Sequence, residues 1–235
     1  LCHRGKARRP AHNRPKPFTA TGPNEIWCWD ITWMPAAAKG HYFYLYMIMD
    51  IYSRKTVGWE VHIAESACLG ADVIEKAALR ERLHGKPLVL HSDNGSPMRS
   101  NTLLMKLYEL GIAPSNSRPR VSDDNAYIES LFKTLKYTPK FPSSGFKCIE
   151  TCREWTNRFV QFYNFEHRHK GITYVTPAQR HEGLDVEILK GRAEVYEAAR
   201  QENPNRWPNN VRQWKHKKSV TLNGQKEPNI KTFAA

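Results

Sequence analysis

The stretch YFYLYMIMDIYSRKTVGWEVHI, residues 42–63, predicts an antiparallel hairpin. Its two halves, Tyr42–Asp50 and Thr56–Ile63, are rich in the aromatic and β-branched side chains that favour strands, and the connection between them is short. An earlier run, IWCWDITW at residues 26–33, follows a Gly-Pro-Asn turn and has the same character. Three consecutive strands therefore precede the first predicted helix.

Helices and strands alternate after the hairpin. Ser66 is a suitable N-cap for a helix whose apolar residues share one face, and Gly85 lies just past its end. Ser100 stands in the same way before a second helix. Short buried strands are predicted at residues 88–91 and 112–115. This order predicts an α/β fold with a five-stranded mixed sheet and flanking helices.

Two later helices show clear apolar periodicity. In the first, the predicted buried stripe is Ile128, Leu131, Phe132 and Leu135. A second stripe on the flank of that face holds Asn125, Glu129, Lys133 and Lys136. In the second helix, predicted at residues 148–164, the stripe is Cys148, Cys152, Trp155, Phe159 and Phe162. We interpret this last stripe as core packing rather than as a surface for stacking DNA bases.

The charge of the chain favours a nucleic-acid partner. The formal net charge is +13 and the pI is about 9.6. Residues 1–24 and 203–226 each hold six Lys or Arg and no acid, and we expect them to be phosphate-gripping arms without a fixed scaffold. The alternative is a basic protein whose lysines are merely solvated.

Composition limits the remaining classes. The chain has 235 residues, 40 % of them hydrophobic, but no run of about 18 apolar residues that would predict a membrane span. Its basic start lacks the apolar segment of a secretory signal. The five cysteines include no C-x-x-C pair, so we expect a reducing compartment and no structural zinc.

Three acids stand in settings that favour metal-dependent chemistry. Asp30 lies inside a predicted strand, Asp93 follows a buried strand in LHSDNGS, and Glu129 lies on the flank of an amphipathic helix. Carboxylates suit Mg²⁺, and two such cations about 4 Å apart can clamp the attacking and leaving oxygens of a phosphodiester. The plain alternatives are a solvated Asp30 on an edge strand, an ordinary D-N-G turn at Asp93 and a solvated Glu129.

Six sequence words around these acids resemble the DDE transposases and retroviral integrases, above all the bacterial insertion-sequence transposases of the IS-three type. The words are GPNEIWCWDITWMP (22–35), YFYLYMIMDIYSRKTVGW (42–59), LHSDNGSPM (90–98), SNSRPRVSDDNAYIESLFKTLKY (115–137), FYNFEHRHKGI (162–172) and TPAQRH (176–181). A lone D…D…E triplet would carry no weight in a chain with 23 acids, whereas six words in order do.

The resemblance implies a ribonuclease-H-like core, as in retroviral integrases, with a basic C-terminal extension. It implies a DNA transposase, an Mg²⁺-dependent phosphodiester transferase in which Asp30, Asp93 and Glu129 are catalytic and hold two Mg²⁺ or Mn²⁺ ions per active site. The enzyme would cleave at transposon ends and transfer the freed 3′-hydroxyl into DNA. The implied partners are double-stranded DNA, as transposon ends and target, and further copies of the chain in a homo-oligomer. We expect no membrane partner and no nucleotide cofactor, and a location in the bacterial cytoplasm at the nucleoid.

Other residues are candidates for DNA binding. Lys136 lies two turns after Glu129, where the family places a Lys or Arg, and the resemblance implies a contact to terminal DNA. The remaining candidates are Asn125 and Lys133 on the same flank, Arg168 and His169 in a loop that departs from the family's Arg-Pro-His, and Arg212, Lys215, Lys217 and Lys218 near the C-terminus. Two acidic positions receive structural interpretations instead, with Asp50 and Arg54 organising the hairpin turn and Asp123 and Asp124 capping a helix.

We expect three segments. Residues 1–22 would be a basic linker from a missing N-terminal DNA-binding part, residues 23–183 the integrase catalytic core, and residues 184–235 a basic C-terminal DNA-binding extension. Two alternatives to a transposase remain at this point. One is a ribonuclease-H-like nuclease or resolvase that stops at hydrolysis, and the other is a non-catalytic DNA-binding derivative.

Overall fold

A computed structural model of the protein describes residues 18–83, 85–117, 122–207 and 211–222. Most of the predicted N-terminal linker and the last thirteen residues, 223–235, lie outside this description. No helix within the described ranges is long and apolar enough to cross a membrane.

Five strands form one mixed sheet, and two shorter strands pair beside it. In chain order the strands are β1 (Thr19–Ala20), β2 (Ile26–Pro35), β3 (Tyr42–Asp50), β4 (Thr56–His62), β5 (Leu88–Ser92), β6 (Ile112–Asn116) and β7 (Val220–Thr221). The large sheet has the order β4-β3-β2-β5-β6. Its first three strands are antiparallel, and β5 and β6 join in parallel. The predicted five-stranded mixed sheet is confirmed, with strand ends within two residues of the predicted ones.

The central strand β2 is much longer than its contact with β5. It pairs with β3 along nearly its whole length, from Trp27 opposite Asp50 to Pro35 opposite Tyr42. It pairs with β5 only over residues 26–28. The β2–β3 hairpin therefore projects as an arm beyond the carboxyl end of β5.

Helices cover both faces of the sheet. They are α1 (Ala67–Arg80), α2 (Asn101–Glu109), α3 (Ala126–Lys136), α4 (Ile149–Phe165), α5 (Pro177–His181) and α6 (Asp185–Glu202). Side chains of β2 alternate between the faces, so Trp27 and Trp29 pack with α1 and α2, whereas Cys28 packs with α3 and α4. The predicted caps are confirmed, because the side chains of Ser66 and Ser100 accept backbone N–H bonds at the starts of α1 and α2.

The buried stripe of α3 is confirmed in full, while that of α4 needs correction. Ile128, Leu131, Phe132 and Leu135 are all buried in α3. In α4, Phe162 is 41 % exposed, and Cys148 is an exposed N-cap. The buried residues of α4 are Cys152, Thr156, Phe159, Val160, Tyr163 and Asn164. At about 100° per residue, Phe162 lies past the edge of this face.

Asp50 has the predicted structural role in the hairpin turn. This buried carboxylate accepts hydrogen bonds from the backbone N–H and hydroxyl of Ser53, at 2.7 and 2.6 Å, and from the N–H of Asn24 at 2.7 Å. Arg54 follows with a positive φ of 68°, and its guanidinium lies 3.7 Å from the ring centre of Tyr127 at the start of α3. The turn therefore also contacts the helix that carries Glu129.

The capping interpretation of the acids before α3 is not confirmed. The N-cap of α3 is Asn125, and it makes no side-chain capping bond. Asp124 is buried in a 3-10 turn, Ser122–Asn125, that precedes the helix. The side chain of Asp123 lies outside the description. The extra 3-10 turn displaces the helix start past both aspartates.

Parts of the two basic arms are fixed on the core, contrary to expectation. Strand β7 pairs with β1 in an antiparallel ladder, with Thr19 opposite Thr221 and Ala20 opposite Val220. Ala20, Val220 and Leu222 are buried in the same apolar cluster as α3 and α4. Hydrophobic burial, which the low apolar density of this region did not predict, holds these segments in place.

A buried ion pair anchors the C-terminal segment. Arg180 bonds Asp185 at 3.1 Å, and it also donates to the backbone carbonyls of Tyr52 and Lys217, each at 2.7 Å. The charged side chains of both Arg180 and Asp185 are almost fully buried. His216 lies 3.2 Å from the same carboxylate. One guanidinium thus joins the hairpin turn, α6 and residues near the C-terminal strand.

Asp185→Asn should destabilise the protein, because it leaves the buried Arg180 cation without its counter-charge. We expect a loss of about 3 kcal/mol in the free energy of unfolding, measured by urea denaturation. The matched control is Glu154→Gln, which breaks the exposed pair with Arg158 and should change stability by less than about 1 kcal/mol. Equal effects of the two variants would show that the buried pair does not anchor this segment.

Candidate active site

The register between β2 and β5 sets two acids at the same level. Cys28 and His91 are opposite each other in this parallel pair. Asp30 and Asp93 each follow two residues later along their strands. Since parallel strands advance together, the two carboxylates reach the carboxyl end of β5 side by side.

Each of these carboxylates is held by a local backbone hydrogen bond. Asp30 Oδ1 accepts the N–H of Ile31 at 2.7 Å. Asp93 Oδ1 accepts the N–H of Gly95 at 2.9 Å, which is the short turn expected of the D-N-G sequence. These bonds restrict the two side chains to one orientation before any ligand arrives.

Glu129 comes from α3, whose first turn is fixed to the central strand. Asn125 Nδ2 donates to the backbone carbonyl of Trp29, 3.3 Å away and next to Asp30 in the chain. The buried stripe of α3 packs on the same face of β2. Glu129 stands in the first turn of α3 and is exposed, and its charge acts on Asp30.

The electrostatics of Asp30 show that the three acids are neighbours. Burial raises the pKa of Asp30 to about 7, and the negative charges of Asp93, Glu129 and Glu65 add to this increase. The N–H of Ile31 opposes it. A carboxylate with a pKa raised by burial and by neighbouring like charges is typical of a site that binds a cation or transfers a proton.

Buried His91 connects the strand of Asp93 to the start of α3. Its Nε2 lies 3.1 Å from the carbonyl of Asp124, and its Nδ1 lies 3.0 Å from Ser115 Oγ on β6. A carbonyl only accepts, so Nε2 carries the proton and Nδ1 accepts from the serine hydroxyl. Burial lowers the pKa of His91, which favours this neutral form. His91 thus fixes the separation between Asp93 and the helix of Glu129.

Lys136 lies close enough to the acids to sense their charge. Partial burial lowers its pKa, and the Asp30 carboxylate acts in the opposite direction. Lys136 is the last residue of α3 and lies two turns after Glu129, along the same side of the helix. The predicted stripe therefore places one cation beside the site.

Of four other residues predicted to bind DNA, two form hydrogen bonds within the protein and two are exposed. Asn125 is buried and bonded to the backbone of β2, because α3 begins one residue after it; it is not available to DNA. His169 accepts the N–H of Gly171 at 2.9 Å, and burial lowers its pKa to about 4, so it is neutral and not part of a cationic loop. Lys133 and Arg168 are exposed.

In the C-terminal segment, two of the four predicted contacts are used within the protein. The guanidinium of Arg212 lies 4.9 Å from the ring centre of Tyr174 and 5.5 Å from that of Trp214. Lys217 Nζ donates to the carbonyl of Gly171 at 2.8 Å. The remaining two, Lys215 and Lys218, are exposed. Arg212 and Lys217 therefore hold this segment on the loop that precedes α5.

The donor set suits a hard divalent cation held partly by water. Within the described ranges, no three His, Cys, Asp or Glu side chains are grouped closely enough to hold a metal ion by themselves. Mg²⁺ commonly binds one or two carboxylates and keeps several waters, so it does not require such a group. Burial is the main cause of the raised pKa of Asp30 and repulsion by the neighbouring carboxylates adds to it, and a dication would offset both. Asp30, Asp93 and Glu129 therefore fit the ion by their chemistry, with water completing its coordination.

Glu65 and Trp33 are residues near the site that the sequence did not single out. Glu65 precedes α1, and its charge contributes to the raised pKa of Asp30. Its Oε1 accepts the indole N–H of Trp33 at 2.7 Å. Nothing in the order of residues indicates that the end of the β4–α1 connection returns to β2. The only sequence signal was the unusual density of aromatic residues in the first two long strands.

Comparison with known proteins identifies relatives of this chain. The integrase core domain family matches it in two parts, residues 20–122 and 110–177. The transposase of insertion sequence IS904 from Lactococcus lactis is 33 % identical over 161 residues, covering 68 % of this chain and 62 % of the relative. A putative transposase of IS986/IS6110 from Mycobacterium tuberculosis is 30 % identical over 190 residues, covering 75 % and 68 %.

A third relative is the transposase InsF of IS3A from Escherichia coli, which is 31 % identical over 163 residues, covering 69 % of this chain and 55 % of the relative. The chain thus spans between about half and two thirds of the length of these relatives. Among solved structures, a chain of the simian T-cell lymphotropic virus intasome with PP2A regulatory subunit B56 gamma superposes with a TM-score of 0.54, at 19 % identity over 73 % of this chain and 60 % of that one. This similarity confirms the ribonuclease-H-like integrase fold.

Asp30→Asn should stabilise the protein in EDTA at pH 8. The folded-state pKa of about 7 lies above the ordinary value of 3.8, so folding favours the protonated carboxyl. This contribution to stability is present below about pH 4 and is lost as the pH rises toward 7. We expect the variant to gain on the order of 2 kcal/mol over the wild type at pH 8, and little at pH 4, in urea unfolding.

The wild type and Asp30→Asn also test whether a cation binds at Asp30. Mg²⁺ should raise the melting temperature of the wild type at pH 8, because a ligand of the folded state stabilises it, and should raise that of Asp30→Asn much less. Asp72→Asn, at an exposed acid on α1, is the matched control and should respond as the wild type does. An equal response of all three proteins would remove Asp30 from the cation site.

Proposed function

The chain belongs to the integrase-core transposases of the IS-three insertion-sequence type, and from this membership we propose that it cleaves transposon ends and transfers the freed 3′-hydroxyl into DNA. The observation that carries the proposal is the placement of Asp30 and Asp93 at one level, with Glu129 close enough to raise the pKa of Asp30. We assign this reaction to residues 23–183 as the catalytic core.

We assign Asp30, Asp93 and Glu129 to bind Mg²⁺ or Mn²⁺, with two ions per active site. When bound there, such ions polarise a phosphodiester and make a water or a 3′-hydroxyl a better nucleophile at neutral pH. Asp30 and Asp93 are already oriented by backbone N–H groups, so little side-chain entropy is lost on binding. Glu129 comes from a separate element, so both sides of the reacting phosphate face a carboxylate. No serine or tyrosine nucleophile is needed for this reaction.

We expect several cations to bind DNA around the acids. Lys136, on which the charge of Asp30 acts, is assigned to a phosphate of the transposon end beside the reacting group. Lys133, Arg168, Lys215 and Lys218 are exposed and are assigned to other phosphates along double-stranded DNA. We expect target DNA to bind the same enzyme, and the site of action to be the bacterial nucleoid in the cytoplasm.

We also propose that the protein acts as a homo-oligomer on DNA. Two transposon ends must be joined to a target, and each end requires a set of acids. The described part of one chain holds one such set, so we expect at least two copies to assemble. Strand joining separates this enzyme from a nuclease or resolvase of the same fold, which would cut the ends but not join them. A DNA-binding derivative without catalysis would do neither.

Asp30→Asn, Asp93→Asn and Glu129→Gln should each reduce cleavage and joining by at least about 1,000-fold. The three side chains act as one unit, so a double variant should be no worse than a single one. The assay incubates labelled end DNA with Mg²⁺ and resolves cleaved and joined products, and it should give neither product in EDTA. Asp72→Asn should retain wild-type activity. Near-normal joining by any of the three variants would exclude that residue from the site.

Lys136→Ala and Lys215→Ala should have different effects, because only Lys136 stands beside the acids. Lys136→Ala should cost about 1–3 kcal/mol in binding and reaction at the element's own ends, with little change in affinity for scrambled duplex. Lys215→Ala should weaken binding to end DNA and to scrambled duplex equally, and it should reduce the dependence of affinity on salt. Binding curves at several salt concentrations measure both. If the two variants behave alike, Lys136 is an ordinary surface cation.

A further inference from the structure

Three aromatic rings form an exposed cluster on the β2–β3 arm. Trp33 is 51 % exposed and Tyr42 is 42 % exposed, and Tyr44 is partly exposed. Trp33 is opposite Tyr44 in the ladder, and Tyr42 is opposite Pro35, so all three rings project from one face. The ring centre of Trp33 lies 5.2 Å from that of Tyr42 and 5.8 Å from that of Tyr44. We call these three residues the aromatic platform.

The orientation of the Trp33 ring is fixed by polar contacts. Its indole N–H donates to Glu65 at 2.7 Å. Glu65 is itself positioned by the residues on either side, because the hydroxyl of Tyr46 accepts the N–H of Ser66 at 2.7 Å and donates to the carbonyl of Ala64 at 3.2 Å. A ring held in this way loses little freedom when something stacks on it.

The platform is next to the candidate active site. Trp33 follows Asp30 by three residues on the same strand, so their backbones are about 10 Å apart and their side chains leave β2 on opposite faces of the sheet. At this point β2 has already passed the end of β5, so its edge on that side is open between the face of the acids and the face of the platform. Glu65, which holds the indole, is one of the charges that act on Asp30. A DNA strand that passes from the acids around this open edge therefore reaches the platform.

We propose that the aromatic platform stacks an unpaired nucleobase of the DNA whose phosphate lies at the acids. This inference rests on the proposed function, since it requires DNA at Asp30. An aromatic ring stacks on any base, while the Glu65 carboxylate repels a phosphate from the same place. Opening the last base pairs would let the DNA strand bend into the acids, and stacking would compensate for the lost pairing.

The size and surroundings of the platform favour a base over a protein partner. Three rings offer far less apolar area than the roughly 800 Å² per partner of a stable protein interface. The neighbouring tip of the arm, residues 36–41, carries the exposed cation Lys39 and the exposed His41, and it has no large apolar side chain. A base with its phosphate toward this tip matches both features.

The test compares three DNAs and three variants. The first DNA is a blunt duplex of the element's end, and the other two carry an unpaired extension with 2-aminopurine, one on each strand. Trp33→Ala removes the ring, Trp33→Phe keeps a smaller one, and Tyr108→Ala is the control, because Tyr108 is 88 % exposed but lies on α2. Circular dichroism confirms that each variant folds.

Wild type should bind one of the two extended DNAs more tightly than the blunt DNA and should quench the 2-aminopurine. Trp33→Ala should reduce this preference roughly 10-fold and restore the fluorescence, while Trp33→Phe should retain most of it and Tyr108→Ala all of it. The salt dependence should not change, because no phosphate contact is removed.

An unchanged preference and unchanged quenching in Trp33→Ala would overturn the proposal. A change in oligomeric mass by light scattering, with the base preference intact, would overturn it as well and would indicate that a second copy covers the rings. Neither measurement requires catalysis. A wild type that quenches the base but joins no DNA would therefore contradict the proposed function and leave the stacking site standing.

Discussion

The repulsion among Asp30, Asp93 and Glu129 is the constraint around which the core is arranged. Like charges in a partly buried position would move apart or take up protons unless other interactions hold them. Burial of Asp30, with the nearby charges of Asp93 and Glu129, raises its pKa, so the fold keeps a carboxylate where its charged form is unfavourable. A site that is costly by itself and favourable once a cation is present is what a metal-dependent enzyme requires.

Three kinds of interaction oppose the repulsion. The parallel ladder between β2 and β5 fixes the level of the aspartates through main-chain bonds. His91 fixes the distance from β5 to the start of α3, and Asn125 binds that start to the backbone of β2. All of these contacts are buried, where an unmade hydrogen bond is expensive, so the helix of Glu129 has little freedom to withdraw.

The C-terminal segment takes part in the same framework. Tyr127, two residues before Glu129, donates its hydroxyl to the carbonyl of Thr221 at 3.0 Å, while the Arg54 guanidinium lies over its ring. Strand β7, the hairpin turn and α3 therefore meet at one side chain. A segment that composition alone assigned to DNA binding is also a structural support for α3.

The local features of this protein could be predicted from its sequence, and the long-range ones could not. Patterns within a few residues predicted caps such as Ser66, the buried stripe of α3 and the five strands of the large sheet. Six family words identified the three acids. Contacts between residues far apart in the chain decide three other features. These are the position of Glu65 near Asp30, the pairing of β1 with β7 and the burial of Asn125. The histidine loop was misjudged because the charge of His169 depends on burial that its neighbours in sequence do not reveal.

The central claim is that the three acids share one cation site, and a crystal grown with Mn²⁺ tests it most directly. Mn²⁺ takes the same oxygen ligands as Mg²⁺ and scatters anomalously, so its position can be read without assumption. The account predicts anomalous peaks at about 2.2 Å from carboxylate oxygens of Asp30 and Asp93, with Glu129 on the same ion or its neighbour. Peaks elsewhere on the protein, with none between these three side chains, would contradict it.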